Sequence, residues 1–305
     1  MLTMKNNLIN KFLSSLQSDV PACTANAYRL LNHGKLSKTG YLVILPVDQG
    51  FEHGPEKSFS NNPLGYDPEY HVKLAIEAGL SAYAAPLGMI ENIARDYAGM
   101  IPLILKINSN NMLKSSDTSP HQAITASVED ALRLGCIGIG LTIYPGSNKF
   151  DSSIREIREI IAQAKKFGLL VIIWSYPRGE GIRPNMNTAL DISCYAVHIA
   201  ALLGAHIIKI KIPDNINGLN NIIPNLDNIS DRIEKIIQSA FVGKKMVLFS
   251  GGNSKNLDIL YKEINAIKIG GGNGSMIGRN VFQRSYNEAL EMLNGINNIY
   301  KEKNI

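Results

Sequence analysis

Two lysines set two residues apart in an otherwise apolar run carry the strongest chemical signal in this sequence. The run is Ala205-His206-Ile207-Ile208-Lys209-Ile210-Lys211-Ile212-Pro213, and Gly204 precedes it. Its length and isoleucine content read as a buried strand. Side chains alternate along a strand, so Lys209 and Lys211 share one face. An amine on such a strand is unfavourable unless it reaches water, an anion or a partner. Desolvation or a neighbouring cation lowers its pKa, and a neutral amine can attack a carbonyl. The bland alternative is a strand end with snorkelling lysines.

The rest of the chain must place that strand. Eight strand-helix cycles follow residue 40. The expected strands are Tyr41–Val47, Leu80–Ala85, Pro102–Ile107, Ile137–Ile143, Leu169–Trp174, the lysine run, Met246–Phe249 and Ala266–Ile269. A polar loop is expected from Asn108 to Pro120, then a helix from about Ala123 to Leu134. A further helix is expected over Ser254–Asn265, a short one near Ser275 and a last one over Val281–Asn294. Alternation of this kind implies a parallel sheet, because parallel strands need crossover connections. Eight units over about 255 residues fit a (β/α)8 TIM barrel, an α/β fold, better than an open sheet. No GxGxxG follows the first strand, which weighs against the doubly wound alternative. Residues 1–40 read as an N-terminal helical extension, a cap or an assembly arm, and 41–305 as one barrel catalytic domain.

In a barrel the chemistry collects at the C-terminal ends of the strands. Asp48 ends the first expected strand, Tyr144 the fourth, Trp174 and Tyr176 the fifth, and the lysines the sixth. Each has a bland reading as a cap or a packed ring; their common position is the argument. The endings Ser250-Gly251-Gly252-Asn253-Ser254 and Gly270 to Arg279, with Gly272 and Gly278 inside it, are glycine-rich. Loops after strands seven and eight commonly bind phosphate in barrels, and glycine lets backbone N–H groups approach the anion. Arg279 would add charge-assisted bonds. The alternative is that these glycines turn tight corners. Lys106, in Leu105-Lys106-Ile107, reads as a third lysine in a buried strand, either a phosphate or hydroxyl contact or structure. Together these groups suggest a phosphorylated carbonyl substrate and a Schiff-base lysine, with Tyr176 and Asp48 moving protons.

Composition sets bounds on partners. The chain has 305 residues, 45% hydrophobic and 19% charged, with a formal net charge of +5. Acids and bases are interspersed, so no nucleic-acid partner is expected; a modest pull on anionic substrates is compatible. No apolar stretch is long enough to span a membrane. The three cysteines are scattered without CxxC spacing, which suits a reducing cytoplasm. The six histidines show neither HxH nor HExxH spacing, so no metal site and no cofactor are expected.

The stretches LPVDQGFEHGP (45–55), AAPLGM (84–89), TIYPGS (142–147), WSYPRG (174–179), AHIIKIK (205–211), SGGNS (250–254) and IGRNVFQR (277–284) resemble the archaeal-type class I fructose-1,6-bisphosphate aldolases, which also occur in bacteria. The resemblance spans residues 41–290. It implies a (β/α)8 barrel, a metal-free lyase reaction through a Schiff base with dihydroxyacetone phosphate, and a homo-oligomer. It implies Lys209 rather than Lys211 as the Schiff-base residue, although strand geometry alone allows either. It implies Asp48, Trp174 and Tyr176 as catalytic residues, with the tyrosine as general acid/base. Ser250, Gly251, Gly252, Gly278 and Arg279 match phosphate contacts. The Asn-rich segment Asp214–Asn228 matches nothing in the family pattern. Two rivals stay open: a related Schiff-base transferase acting on a phosphorylated sugar or dione, and a non-catalytic sugar-phosphate binder. A second, phosphatase activity would need an acidic metal cluster that the sequence does not display.

Overall fold

The computed structural model describes residues 2–113, 119–219, 226–251 and 256–302. Two helices come first, α1 (Leu2–Ser14) and α2 (Pro21–Leu31). Strand β1 (Leu42–Pro46) leads into α3 (Gln49–His53), α4 (Pro55–Phe59) and α5 (Pro68–Glu77). Strand β2 (Ala82–Pro86) and α6 (Leu87–Ile93) precede β3 (Leu103–Lys106). A short ribbon of β4 (Asn108–Ser109) and β5 (Ala123–Ile124) follows, then α7 (Val128–Arg133). The pairs β6 (Gly138–Ile143) with α8 (Phe150–Lys166) and β7 (Leu170–Ser175) with α9 (Leu190–Leu202) come next. Strand β8 (Ile207–Lys211) carries the lysines and is followed by α10 (Ile229–Ser239). The chain ends with β9 (Met246–Ser250), α11 (Leu257–Ile269), β10 (Gly274–Met276), α12 (Arg279–Phe282) and α13 (Tyr286–Lys301).

The strands close into a parallel barrel in the order β1-β10-β9-β8-β7-β6-β3-β2. Strand alternation divides the apolar residues into two layers. Leu42, Ile44, Ile104, Ile172, Ile207 and Leu248 share one core with Phe12, Leu16, Ala27 and Leu30 of the N-terminal segment. Val43, Leu45, Leu105, Ile173, Ile208 and Val247 belong to the second, which the outer helices cover. Burying each such side chain stabilises the fold by about 1.5–3 kcal/mol. Residues 8–31 thus cap the end of the barrel where the strands begin. The helical extension shares the barrel's inner core.

Three parts of the chain differ from the sequence reading. The run Ala266–Ile269 is not the eighth strand; it is the last turn of α11, whose buried Leu260, Ile264 and Ile267 keep helical spacing. The eighth barrel strand is β10, which is only Gly-Ser-Met, so Ser275 lies in a strand rather than a short helix. Gly270, Gly271 and Gly272 therefore precede the last strand and lie at the barrel floor. A Cβ on Gly272 would sit 2.6 Å from Ile267 and 2.9 Å from Phe249, so this glycine serves a tight helix-to-strand corner. It is not at the mouth and cannot contact a phosphate there. Asn273 beside it ties the neighbours together: its backbone carbonyl accepts from Leu42 N–H and its Oδ1 from Val247 N–H, each at 2.9 Å.

The expected helix from Ala123 is also shorter. Ala123 and Ile124 pair antiparallel with Ser109 and Asn108. The helix begins only after Ser127, where a capping box with Asp130 satisfies the first free N–H groups. The segment after Asp48 contains α3 and α4.

Candidate active site

Ile207, Lys209 and Lys211 point into the barrel, because Ile207 is in the inner core and the alternation continues. Lys209 lies in register with Trp174 on β7 and Leu248 on β9, and Lys211 with Ser250. Lys209 is 4% exposed, and burial lowers its pKa from 10.5 to about 8. Asp48 and Glu52 oppose that shift, while Lys106 and Arg279 reinforce it. Lys211 is half-buried and is also lowered, by burial and then by Arg178 and Arg279. Of the two amines, Lys209 is the more enclosed.

Trp174 forms the wall beside the amine. Lys209 Nζ lies 5.4 Å and Lys106 Nζ 5.9 Å from its ring centroid. The indole fits only because Gly140 on β6 has no side chain: a Cβ there would meet the ring carbons at 2.4 and 2.5 Å. Lys106 is fully buried, and burial lowers its pKa too. Its Nζ donates to the carbonyl of Asn108 and, at 3.1 Å, to Asn108 Oδ1. Asn108 in turn accepts from Thr142 N–H at 2.7 Å and donates to Thr142 carbonyl at 2.8 Å, locking β4 against β6.

A cavity opens above these groups, lined by Asp48, Tyr176, Arg178, Lys209, Lys211, Ser250, Gly251, Gly278 and Arg279, with Gln49, Glu52, His53 and Met276. Asp48 is buried and precedes α3 as its N-cap residue. Burial, and then the carboxylates of Asp48 and Glu52, raise the Tyr176 phenol well above its usual range. Tyr176 is therefore a proton donor at rest. The Arg178 guanidinium stands 5.5 Å from the ring centroids of both Tyr144 and Tyr176. Burial pushes the Tyr144 phenol up to about 12, and its oxygen accepts from Gln122 at 2.6 Å. Tyr144 lies behind Arg178 rather than in the lining of the cavity itself.

The glycine endings divide. Gly251 and Gly278 lie at the mouth, where Asn280 Nδ2 donates to Gly251 carbonyl at 3.1 Å. A Cβ on Gly278 would press on Pro46 carbonyl at 2.7 Å, so the backbone comes close to β1 there. Arg279 follows immediately and lines the cavity with Ser250. Gly252 lies outside the described residues.

Three groups in the site escaped the sequence reading. Glu52 stands four residues after Asp48, and α3 brings both to the cavity. Burial and then Asp48 raise the Glu52 carboxyl. Gln122 is buried as well, between the expected loop and the expected helix. Arg178 lies two residues past Tyr176 on the same strand ending. The spacing Asp-x-x-x-Glu and the Tyr-x-Arg step were the available signals.

Among the described residues, one group has three possible metal ligands close together: Asp19, Cys23 and His206 on the floor. Its hydrogen bonds assign it to structure. Val171 N–H donates to His206 Nδ1 at 2.9 Å, so the neutral ring carries its proton on Nε2. That proton goes to Asp19, 3.1 Å away, and leaves no lone pair for a metal.

Comparison with known proteins gives the family of the chain. The profile of the DeoC/LacD family of aldolases matches residues 42–284. A probable class 1 fructose-bisphosphate aldolase of Chlamydia trachomatis is 37% identical, with 97% of this chain and 86% of that protein aligned. The class 1 fructose-bisphosphate aldolase of Thermoproteus tenax is 35% identical over 81% of this chain and 86% of its own length. A solved archaeal fructose-1,6-bisphosphate aldolase, with its catalytic lysine covalently bound to the carbinolamine intermediate of the substrate, superposes with a TM-score of 0.74. It is 32% identical and covers 97% of this chain and 100% of that one.

Proposed function

The chain belongs to the DeoC/LacD family of aldolases, and from that premise we propose that it is a class I, Schiff-base fructose-1,6-bisphosphate aldolase. The observation that carries the reading is the buried Lys209 amine, with its pKa lowered to about 8, at the mouth of the barrel beside Tyr176 and Asp48. The neutral amine attacks C2 of the open-chain ketose and forms a carbinolamine. Tyr176 gives its proton to the departing hydroxyl, water leaves, and a phenolate faces the iminium. The phenolate, with Asp48 beside it, takes the C4 hydroxyl proton. The C3–C4 bond breaks, its electrons pass to the iminium nitrogen, and glyceraldehyde 3-phosphate departs. Tyr176 returns the proton to C3 of the enamine, and hydrolysis releases dihydroxyacetone phosphate.

In this reading Trp174 shapes the site and excludes water from the amine. Ser250, Gly251, Gly278 and Arg279 hold the phosphate on the ketone side. Lys211 adds positive charge beside them, and Lys106 and Tyr144 support the wall from behind. The named relatives are aldolases, which disfavours the transferase alternative.

A finer setting belongs to the same proposal: a cytoplasmic homo-oligomer working in glycolysis or gluconeogenesis. Cys23, Cys136 and Cys194 are free thiols, as a reducing compartment allows. Among the described residues no helix is long and apolar enough to cross a membrane.

Borohydride trapping with dihydroxyacetone phosphate, in EDTA and followed by peptide mapping, tests the reading. A stable adduct on Lys209 is expected. An adduct on Lys211 or Lys106 would keep the class and overturn the residue. No adduct, with activity lost to EDTA, would overturn the mechanism.

A further inference from the structure

Two lysines are buried side by side in this barrel, and only one of them is needed for the chemistry. Lys106 and Lys209 are 1% and 4% exposed, and both lie within 5.9 Å of the same indole ring. The two hydrogen-bond acceptors of Lys106 are neutral oxygens of Asn108. Two enclosed amines, one of them in a cavity with Arg178, Arg279 and Lys211, need more than one anion nearby if both are to hold a proton. Asp48 supplies one.

We infer that Glu52, held in place by Gln122, is a positioning residue that supplies the second negative charge balancing the Lys106–Lys209 pair. The proposal rests on the Schiff-base reading above and adds a residue to it. Gln122 is buried, and both hydrogens of its amide are used. One goes to Glu52 Oε1 at 3.2 Å and the other to Tyr144 Oη at 2.6 Å. The amide thus fixes the carboxylate to the β4–β5 ribbon, the same ribbon whose Asn108 holds Lys106. One small insertion at the mouth therefore holds an amine and its counter-charge together.

The groups that face Lys209 act in opposite senses. Asp48 and Glu52 favour its protonated form, while Lys106 and Arg279 disfavour it. Burial and then Asp48 raise the Glu52 carboxyl, and Lys106, Gln122 and Arg178 oppose them by favouring its ionised form. Tyr176 and His53 complete the titratable lining, beside Lys211 on the lysine's own strand. Removing the Glu52 charge leaves the cations less compensated. The Lys209 amine then loses its proton at lower pH.

The test is the pH dependence of borohydride trapping with dihydroxyacetone phosphate in wild type, Glu52→Gln, Glu52→Asp and Gln122→Ala, read by mass spectrometry. Glu52→Gln should move the midpoint toward acid by roughly half a unit to one unit. Glu52→Asp, which keeps the charge, should stay nearer the wild-type midpoint. Gln122→Ala removes the donor that favours ionised Glu52 and should shift the midpoint in the same direction. It decides the matter should Glu52→Gln fail to fold. A lower trapping rate at every pH with an unmoved midpoint would reduce Glu52 to a structural part and overturn the proposal. Absence of any adduct in the wild type would instead overturn the Schiff-base reading.

Discussion

Trp174 and Lys209 occupy paired positions on β7 and β8, and the lysine Nζ lies 5.4 Å from the centroid of the indole ring. Two effects compete there. A cation near an aromatic ring gains about 0.5–2 kcal/mol, which favours the protonated amine. The same ring helps exclude water, which favours the neutral one. The net fall from 10.5 to about 8 is worth about 3 kcal/mol, so desolvation wins.

That balance fixes a pH dependence. At pH 7 about one amine in ten is neutral. Imine trapping should rise about tenfold per pH unit below the Lys209 pKa and level off above it. Lys209→Met should give no adduct at any pH, and Lys211→Met should leave the adduct in place. A wild-type profile that keeps rising beyond pH 9, as an exposed lysine would give, contradicts the burial argument.

Arg279 offers an independent check on the phosphate side. Charge-assisted bonds to an anion contribute about 1.5–3 kcal/mol, so Arg279→Ala should raise KM for the bisphosphate roughly 10- to 100-fold. Inorganic phosphate should inhibit the variant more weakly than wild type. Arg279 also lowers the Lys209 pKa, so the trapping midpoint should move toward alkaline pH, opposite to the Glu52→Gln shift. An unchanged KM would remove Arg279 from the phosphate site.

The lysine strand was legible because strand alternation alone puts Lys209 and Lys211 on one face. Barrel closure followed from strand-helix alternation, and the positions of Asp48, Tyr176 and Arg279 followed from the rule that strand ends gather at one mouth. The last strand was not legible. Gly274-Ser275-Met276 has no hydrophobic run, and its place is held by pairing with β1 and β9. The apolar run just before it belongs to a helix, and this slip carried Gly272 to the wrong end of the barrel. Glu52 and Gln122 needed tertiary knowledge, since a five-residue helix and a two-residue strand leave little periodicity to read.

Gly140→Ala should damage the site without removing a titratable group. Its added methyl would lie 2.4 Å from the Trp174 ring, well inside van der Waals contact. Either the indole turns or β6 shifts from β7. Such overpacking destabilises by about 1–3 kcal/mol. Thermal unfolding should therefore begin at lower temperature, and kcat should fall with it, because the displaced ring admits water to Lys209. Retention of both wild-type stability and turnover would show that the indole position is not constrained by this glycine.

The final prediction concerns the barrel floor, where the N-terminal segment is tied to the base of the lysine strand. Asp19 accepts from His206 Nε2 at 3.1 Å and from Lys165 Nζ at 3.2 Å, and its side chain is 4% exposed. Burial alone would raise the carboxyl, but His206 and Lys165 together lower it from 3.8 to about 2. A depressed carboxyl contributes stability above its unfolded pKa and loses it as pH falls through the folded one. The contribution is about 2 kcal/mol at neutral pH. Asp19→Asn should thus lower the unfolding temperature at pH 7 by roughly 3–6 °C. The gap from wild type should close as pH falls from about 4 toward 2. The trapping midpoint of Lys209 should not move, since the variant lies at the opposite end of the barrel. A stability gap that persists below pH 2 would mean that shape, not charge, makes the clasp.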